Sequence, residues 1–389
     1  MRRFCLRAFG DSIEARDKEK DRKLKSTKLK VRDAVRNLPD YVSPRQGKNG
    51  LRLDLNENTA GCSPRVLARL REFTAEEVSF YRDREGVETL VAAHLGIDAS
   101  ELLLTNGVDE AIHLLCEAFL EPSDEVLLPT PTFDMYEICA AATGANVVAV
   151  RAQGDFSFPA SALLDRISAS TRLIPIANPN NPTGMVADPS QLLEIARRAP
   201  HSAVLIDEAY FEFYGKTLMG CWGDHPNIFV SRTFSKAYGL AGLRAGVLTG
   251  DRDHIGHFRR LASPFNMNTA ALACLPVALE DSGYLAHCVR DIRKARETLR
   301  QALAQWEIYC FPSEANFVFA QLGQWHSSFV ESLQRRGFLV RDRSRDPGCE
   351  GCVRITVGTC EQTNSLIQAI DETFSALGVK REAKTFLPS

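Results

Sequence analysis

The sequence predicts an α/β fold in which a mostly parallel central sheet in a large domain is joined to a smaller α+β domain. Between residues 101 and 230, short apolar runs alternate with helical stretches, which is typical of parallel strands joined by helices. After about residue 285, one long charged helix precedes three apolar runs, and this pattern indicates an antiparallel sheet. A chain of 389 residues is long enough for two such domains.

The apolar runs of the large domain can be placed in chain order. They are ELLLT at 101–105, EVLLP at 125–129, NVVAV at 146–150, RLIPIA at 172–177, AVLI at 203–206 and NIFV at 227–230. The helix HCVRDIRKARETLRQALAQW then leads into NFVFAQL, FLVRD and CVRITVG. We therefore expect a large domain over 65–285 and a small domain that combines 37–64 with 286–389.

Residues 1–36 differ in composition from the rest of the chain. They contain thirteen Lys or Arg against six Asp or Glu and almost no periodic apolar pattern, which predicts a mobile basic arm. The arm has no apolar core of the secretory type, and its acidic residues are unusual for a transit peptide. A cytoplasmic protein is expected.

Composition excludes several classes of function. The chain is 44% hydrophobic and 25% charged with a formal net charge of −2, which argues against nucleic-acid and membrane-surface binding. No apolar run approaches the roughly 18 residues of a membrane span. The eleven cysteines follow no regular framework and suggest reduced thiols. Cys349 and Cys352 form one C-x-x-C without a second pair, so no metal site is predicted.

Ligands of an open parallel sheet bind outside the carboxyl ends of its strands, so the residues after each apolar run are informative. After 101–105, Asn106 and Gly107 open a helix whose first backbone N–H groups can bind an anion. The alternative is an ordinary helix start with a turn before it. This position is one candidate for phosphate binding.

Two further strand ends carry polar side chains. NPNNPTG at 178–184 is a rigid turn rich in amides, from which Asn181 can donate a hydrogen bond to a ring oxygen. Asp207 follows a fully apolar run, so its carboxylate is expected to be buried and to need a cationic partner. The alternative for Asp207 is a helix N-cap. Tyr210 follows closely and can donate its phenol.

The stretch RTFSKAYGLAGLR at 232–244 follows the last run of the large domain. Thr233, Ser235 and Arg244 suit a phosphate, and Lys236 offers an amine. Lysine is usually exposed, which is the alternative interpretation of Lys236. A phosphorylated heteroaromatic aldehyde would use all these strand ends, because lysine can form a Schiff base with it while a carboxylate keeps its ring nitrogen protonated. The predicted cofactor is therefore pyridoxal 5'-phosphate (PLP).

With these residues in order, the sequence resembles the PLP-dependent aminotransferases of the aspartate aminotransferase fold (fold type I). Within them it is most similar to the histidinol-phosphate aminotransferases. The similarity runs from about Val31 to Leu377. It rests on LDLNEN, TNGVDEAIHLL, PTPTFDMY, NPNNPTG, IDEAYFEF, TFSKAYGLAGLR, EANFVF, VRD and CVRITVGT.

The resemblance implies a role for each matching residue. Lys236 would be the Schiff-base lysine and proton carrier, Asp207 the partner of the ring nitrogen, and Tyr210 with Asn181 the contacts of the ring hydroxyl. Phe133 would stack on the ring. The residues implied to hold the phosphate are Gly107, Val108, Asp109, Thr233, Ser235 and Arg244, with Tyr81 reaching in from a partner subunit. The residues implied to hold the substrate are Arg354 at its carboxylate, Asn316 and Asn181 nearby, and Arg341 at the phosphate of histidinol phosphate.

The expected reaction is transamination between a small-molecule amino donor and a 2-oxo acid by a homodimer with shared active sites. It would convert histidinol phosphate and 2-oxoglutarate to imidazole-acetol phosphate and glutamate. The chain departs from the family after NEN, where Thr59 and Ala60 replace a usual Pro and aromatic residue before Gly61. Aromatic or broader amino-acid transamination and threonine-phosphate decarboxylation therefore stay open. A PLP-binding transcription regulator is disfavoured, because about 36 arm residues are too few for a winged helix.

Overall fold

The computed structural model describes residues 29–38 and 49–379. Residues up to 39 form a unit of their own, whose described part contains one short helix, α1 (Asp33–Arg36). The predicted mobile arm over 1–36 lies outside the described residues as far as residue 28. The second unit begins at residue 40 and contains both β-sheets.

The larger sheet of this unit has seven strands in the order β2-β8-β7-β6-β5-β3-β4. The strands are β2 (Leu102–Thr105), β3 (Glu125–Thr130), β4 (Asn146–Arg151), β5 (Thr171–Ala177), β6 (Ala203–Asp207), β7 (Ile228–Thr233) and β8 (Gly246–Thr249). The strands β4, β3, β5, β6 and β7 are parallel, whereas β8 runs antiparallel to both of its neighbours. All six predicted runs are strands, whereas the seventh strand, β8, has no counterpart in the prediction.

Burial on both faces explains the continuous apolar character of these runs. In β6, Leu205 packs into a cluster on one side of the sheet, while Val204 and Ile206 pack into a cluster on the other. Helices cover both faces, so the strands contain few polar residues before their carboxyl ends. Asp207 is the last residue of β6, and Thr233 is the last of β7. The polar site residues therefore begin where the buried strands stop.

The second sheet has five strands in the order β1-β11-β12-β10-β9. They are β1 (Leu51–Leu53), β9 (Tyr309–Phe311), β10 (Phe317–Gln321), β11 (Phe338–Asp342) and β12 (Cys352–Thr356). The three predicted runs, β10, β11 and β12, pair antiparallel as expected. The sequence did not predict β1, a short strand from the N-terminal part of the chain that pairs in parallel with β11 at the edge of this sheet.

Helices connect and cover the two sheets. They are α2 (Pro64–Arg71), α3 (Ala75–Ser79), α4 (Glu85–Leu95), α5 (Val108–Phe119), α6 (Met135–Thr143), α7 (Ala160–Leu164), α8 (Pro189–Arg198), α9 (Phe211–Tyr214), α10 (Arg252–Leu261), α11 (Thr269–Glu280), α12 (Ser282–Ala304), α13 (His326–Arg335) and α14 (Cys360–Ala376). The predicted long charged helix is α12, which packs with α14 on the second sheet's core. The predicted α/β class is confirmed, and the domain bounds stay a prediction.

Within the described ranges, none of the helices is long and apolar enough to cross a membrane. The same ranges contain no group of three or more His, Cys, Asp or Glu placed to hold a metal ion. Cys349 and Cys352 are both buried as free thiols. Burial raises the pKa of each thiol to about 12, so both are poor nucleophiles at neutral pH.

Candidate active site

A cavity of about 360 Å³ lies where the carboxyl ends of the large sheet meet the second sheet. Twelve of the residues singled out in the sequence line this cavity: Val108, Asp109, Phe133, Asn181, Asp207, Tyr210, Thr233, Ser235, Lys236, Arg244, Arg341 and Arg354. The sequence separates these residues by up to about 250 positions, and the fold brings them around one space. The cavity is large enough for a small heteroaromatic ligand and its substrate.

One end of the cavity is built to hold an anion. The helix α5 begins here after Gly107, without a side-chain cap on its first N–H groups. Gly107 has φ +79°, and a Cβ at this position would come within 2.4 Å of the Arg244 guanidinium. The Arg244 Nη2 donates to Asp109 at 2.9 Å. Only glycine allows this close approach, so backbone N–H groups and a guanidinium share one small space.

Ser235 lines the same cavity as Val108, Asp109 and Arg244. Ser235 is buried, and its Oγ has no hydrogen-bond partner among the described residues. The neighbouring Thr233 Oγ1 accepts a hydrogen bond from the Ser235 backbone N–H at 3.1 Å. A buried hydroxyl without a partner costs free energy, and a bound phosphate oxygen would satisfy it.

Asp207 lies deep in the cavity at the end of β6. Its Oδ2 accepts a hydrogen bond from the Tyr136 phenol at 2.5 Å, and its Oδ1 accepts from the Ala209 backbone N–H at 3.1 Å. Burial raises the pKa of Asp207 to about 6, and these hydrogen bonds oppose the rise. The N-cap of the following helix α9 is Tyr210, so Asp207 is not the helix cap of the alternative interpretation. A buried carboxylate of this kind suits a protonated ring nitrogen.

Lys236 is partly buried and lines the cavity, which excludes the alternative of a solvated surface lysine. Its Nζ donates to the Leu55 backbone carbonyl at 3.0 Å. Burial, together with the nearby Arg354 charge, lowers the pKa of Lys236 to about 8. A substantial fraction of the amine is therefore neutral near physiological pH and available as a nucleophile or base.

Polar and aromatic groups line the same cavity as Asp207 and Lys236. The Tyr210 hydroxyl accepts a hydrogen bond from Asn56 Nδ2 at 2.8 Å. The Asn181 Oδ1 accepts from Arg354 Nη1. Phe133 lies edge to face with Tyr136 at 5.8 Å and contributes an apolar surface to the cavity. An aromatic ring bound here would meet both an apolar face and hydrogen-bonding groups.

The second sheet contributes arginines to the cavity. Arg354 lies in β12, and its Nη2 donates to the Asp54 carbonyl at 2.5 Å. Burial, together with the charges of Arg343 and Arg341, lowers the pKa of Arg354 to about 10. Arg341 lies opposite Arg354 on β11. These guanidiniums can hold the anionic groups of a substrate.

Three consecutive backbone carbonyls tie the start of the second sheet to the site. The carbonyls of residues 54–56 accept hydrogen bonds from Arg354, Lys236 and Asn316, respectively. Asn316 is fully buried and reaches the site through this contact, not as part of the cavity lining. The segment after β1 therefore positions several functional side chains at once.

Tyr81 is the predicted site residue that lies apart from the cavity. Its side chain is 81% exposed and stacks on Phe265 with ring centroids 4.2 Å apart. The resemblance assigns Tyr81 to a neighbouring subunit's site, and an exposed position on its own subunit is compatible with that role.

The structure adds cavity residues to which the sequence analysis assigned no role: Leu55, Asn56, Glu57, Asp134, Tyr136 and Arg343. Asn56 and Glu57 belong to the motif LDLNEN, and Tyr136 is the last residue of PTPTFDMY. These family motifs could therefore have identified the three residues as candidates for the site. Arg343 follows Arg341 at the two-residue spacing of one strand face, which could have identified it.

The residues present fit pyridoxal phosphate in chemical type. The space around α5, Ser235 and Arg244 suits the phosphate, and the buried carboxylate of Asp207 suits a pyridinium nitrogen. Lys236 supplies the amine that an aldehyde requires. The unpaired Ser235 hydroxyl and the glycine cradle at Gly107 are features that folding alone does not require.

Fold and site together define a fold type I enzyme of the PLP-dependent aminotransferase kind. A family model described as aminotransferase class I and II matches residues 48–370, and the chain belongs to this family.

Two relatives match this chain over most of its length. Histidinol-phosphate aminotransferase 1 of Bacillus cereus is 36% identical over 343 residues, which cover 85% of this chain and 91% of the relative. The histidinol-phosphate aminotransferase of Thermoanaerobacter pseudethanolicus is 33% identical over 327 residues, covering 82% of this chain and 92% of the relative.

Two solved aminotransferase structures have folds similar to that of this chain. The histidinol-phosphate aminotransferase of Sinorhizobium meliloti in complex with pyridoxal-5'-phosphate has a TM-score of 0.82 at 26% identity. The match covers 91% of this chain and all of that one. An aspartate aminotransferase of Thermus thermophilus with maleate shares the fold, with a TM-score of 0.76 at 20% identity and coverage of 89% and 100%. The predicted fold and enzyme class are confirmed.

Proposed function

We propose that this enzyme transfers the amino group of histidinol phosphate to 2-oxoglutarate, giving imidazole-acetol phosphate and glutamate in histidine biosynthesis. The observation that carries the proposal is the arginine-lined wall that the second sheet contributes to the lysine-containing cavity. One reactant ends in a phosphate and the other carries two carboxylates, so a single site must accept different anions in alternating half-reactions. The two relatives described above carry the name of this activity.

Lys236 and Asp207 would perform the chemistry. Pyridoxal phosphate, when bound, supplies a ring that withdraws electrons from the substrate's α-carbon. Lys236 Nζ, with its lowered pKa, would take the proton from that carbon and deliver it to the carbon of the cofactor's aldehyde group. Asp207 would keep its charge beside the ring nitrogen with the help of the Tyr136 phenol. Tyr210 and Asn181 would orient the ring through its hydroxyl.

The anionic groups of the reactants would be held at two places. Arg354 would take the α-carboxylate of glutamate, because guanidinium and carboxylate form two parallel hydrogen bonds. Arg341 would take the phosphate of histidinol phosphate, with Asn316 supporting the neighbouring segment 54–56. Gly107, Val108 and Asp109 would hold the cofactor phosphate at the start of α5.

The active form would be a homodimer. Exposed apolar side chains gather on and near α3 and before α11, as expected of a subunit interface: Val78, Phe80, Tyr81 and Phe265. Tyr81 would reach the cofactor phosphate of the partner subunit. We place the enzyme in the cytoplasm, where such biosynthesis occurs, and we retain the division into a large domain over 65–285 and a small one from 37–64 and 286–389.

A substrate panel tests the proposal. Purified enzyme loaded with PLP is given 2-oxoglutarate with histidinol phosphate, phenylalanine or threonine phosphate, and glutamate formation and carbon dioxide release are measured. We expect glutamate to form fastest with histidinol phosphate and without carbon dioxide release. Fast transamination of phenylalanine with no response to histidinol phosphate would contradict the proposal, and so would carbon dioxide release from threonine phosphate.

A further inference from the structure

Arg341, Arg343 and Arg354 share one face of the second sheet. Arg341 lies opposite Arg354 on antiparallel strands. The pairing continues one step beyond β11, because the Arg343 backbone N–H donates to the Cys352 carbonyl at 3.0 Å. Side chains two positions apart on an extended strand point to the same side. All three guanidiniums line the cavity.

Arg343 is the one of these three arginines to which the proposed mechanism assigns no role. It is only 7% exposed, although it belongs to a loop whose next arginine, Arg345, is exposed. It forms ion pairs with Asp346 in its own loop and with Asp134 across the cavity, the latter at 3.4 Å. Asp134 also lines the cavity, and its side chain is 46% exposed. A long ion pair to a half-exposed carboxylate contributes little stability and is easily exchanged.

We propose that Arg343 is the second guanidinium that binds the substrate's phosphate, and that the Asp134 carboxylate occupies it when no phosphate is present. This inference rests on the proposed function. A phosphate monoester carries a charge of about −1.5 to −2 and three acceptor oxygens on one group, whereas each of the two carboxylates of glutamate carries one charge and two oxygens. A second arginine therefore favours the phosphorylated substrate over glutamate, and Asp346 remains to neutralise Arg343 when Asp134 leaves.

The charges around Arg354 support this arrangement. After burial, Arg343 and Arg341 are the main cationic causes that lower the pKa of Arg354. The three cations thus act on one another across the shared face. A dianion bound between Arg341 and Arg343 relieves this repulsion more than a single carboxylate does.

The test compares half-reactions of the PLP-loaded enzyme by single-turnover spectroscopy. Arg343→Gln removes the charge, and Arg345→Gln is the matched control on the exposed side of the same loop. A charged hydrogen bond of this kind changes rate or affinity roughly ten- to a hundredfold. We expect Arg343→Gln to lose at least roughly tenfold more kcat/KM for histidinol phosphate than for glutamate, chiefly through KM. Arg343→Lys should recover part of that loss, and Arg345→Gln should leave both half-reactions unchanged.

Equal losses in both half-reactions, or no loss, would overturn the assignment. Inhibition of the glutamate half-reaction by inorganic phosphate separates this proposal from the proposed function. If wild-type enzyme ignores histidinol phosphate, the proposed function fails. The Arg343 assignment then still stands if phosphate inhibits the wild type clearly more strongly than Arg343→Gln, and it is overturned if phosphate inhibits both equally or neither.

Discussion

Arg341 and Arg354 lie directly opposite each other on the antiparallel strands β11 and β12. Like charges in this position destabilise a sheet by a few tenths of a kcal/mol up to about 1 kcal/mol. The pair is tolerated because Arg354 is anchored to the Asp54 carbonyl and to Asn181. An anion bound at either guanidinium would reduce the repulsion, so this pair favours anionic substrates.

The first prediction separates these two arginines by half-reaction. Arg341→Ala should slow amino transfer from histidinol phosphate far more than from glutamate, because Arg341 holds only the phosphate. Arg354→Ala should impair the glutamate half-reaction at least as strongly as the other, by roughly ten- to a hundredfold, since a bidentate carboxylate contact is lost. Single-turnover absorbance changes with each donor measure this. The same pattern of losses in both variants would show that the two arginines are not specialised.

The second prediction concerns the pH dependence of Lys236. Cofactor-free enzyme should capture PLP about tenfold faster per pH unit up to a plateau near pH 8, because the neutral amine is the reactive form. Arg354→Gln removes a charge that lowers the pKa of Lys236, so the plateau should move to higher pH. Stopped-flow absorbance follows the capture. Lys236→Ala should abolish the visible absorbance and nearly all turnover, whereas the exposed Lys216→Ala should not.

A plateau near the ordinary lysine pKa of 10.5 in the wild type would contradict the buried environment of Lys236. An unchanged midpoint in Arg354→Gln would show that Arg354 does not act on the amine.

The third prediction concerns the carboxylate of Asp207. Asp207→Asn should reduce kcat by about a hundredfold or more, since each 1.4 kcal/mol of lost stabilisation is about tenfold in rate. Tyr136→Phe removes a hydrogen bond that lowers the pKa of Asp207, so the acid limb of the pH–rate profile should move to higher pH. Normal kcat in Asp207→Asn, or an unmoved acid limb in Tyr136→Phe, would contradict these roles.

The fourth prediction concerns assembly and Tyr81. Tyr81→Phe should retain the dimer but release PLP faster on dialysis, because one hydrogen bond to the partner's cofactor phosphate is lost. Phe265→Asp places a charge in the proposed interface and should weaken the dimer itself. Native mass spectrometry and residual absorbance measure the two effects. A fully active wild-type monomer would refute the shared site.

Much of the site could be predicted because its residues follow visible apolar runs. Asp207, Thr233 and Lys236 all come at or just after the carboxyl ends of buried parallel strands, where the ligand edge of such a sheet must lie. The motif order then identified the family. These signals are local in sequence and do not depend on knowing the tertiary contacts.

Other parts of the structure could not be predicted because they depend on distant contacts. Strand β1 has only three residues, and its parallel pairing with β11 depends on a contact between segments that are far apart in the sequence. Tyr136 acts on Asp207 from a helix 71 residues earlier in the chain. Asn56 reaches Tyr210 across 154 positions. No local sequence pattern predicts that these pairs of residues come into contact, because the contacts depend on how distant parts of the chain pack together.

The contacts made by residues 54–56 have a consequence for mutagenesis and for divergence within the family. Their carbonyl oxygens accept from Arg354, Lys236 and Asn316 whatever side chains the segment carries. An alanine scan would leave these three acceptors in place. It would therefore underestimate the contribution of this segment to the active site. Replacing a single amide by an ester, which weakens its carbonyl as an acceptor, would reveal them. Position 54 is constrained by its side chain as well as by its carbonyl, because the Asp54 carboxylate is buried and raises the pKa of Arg354.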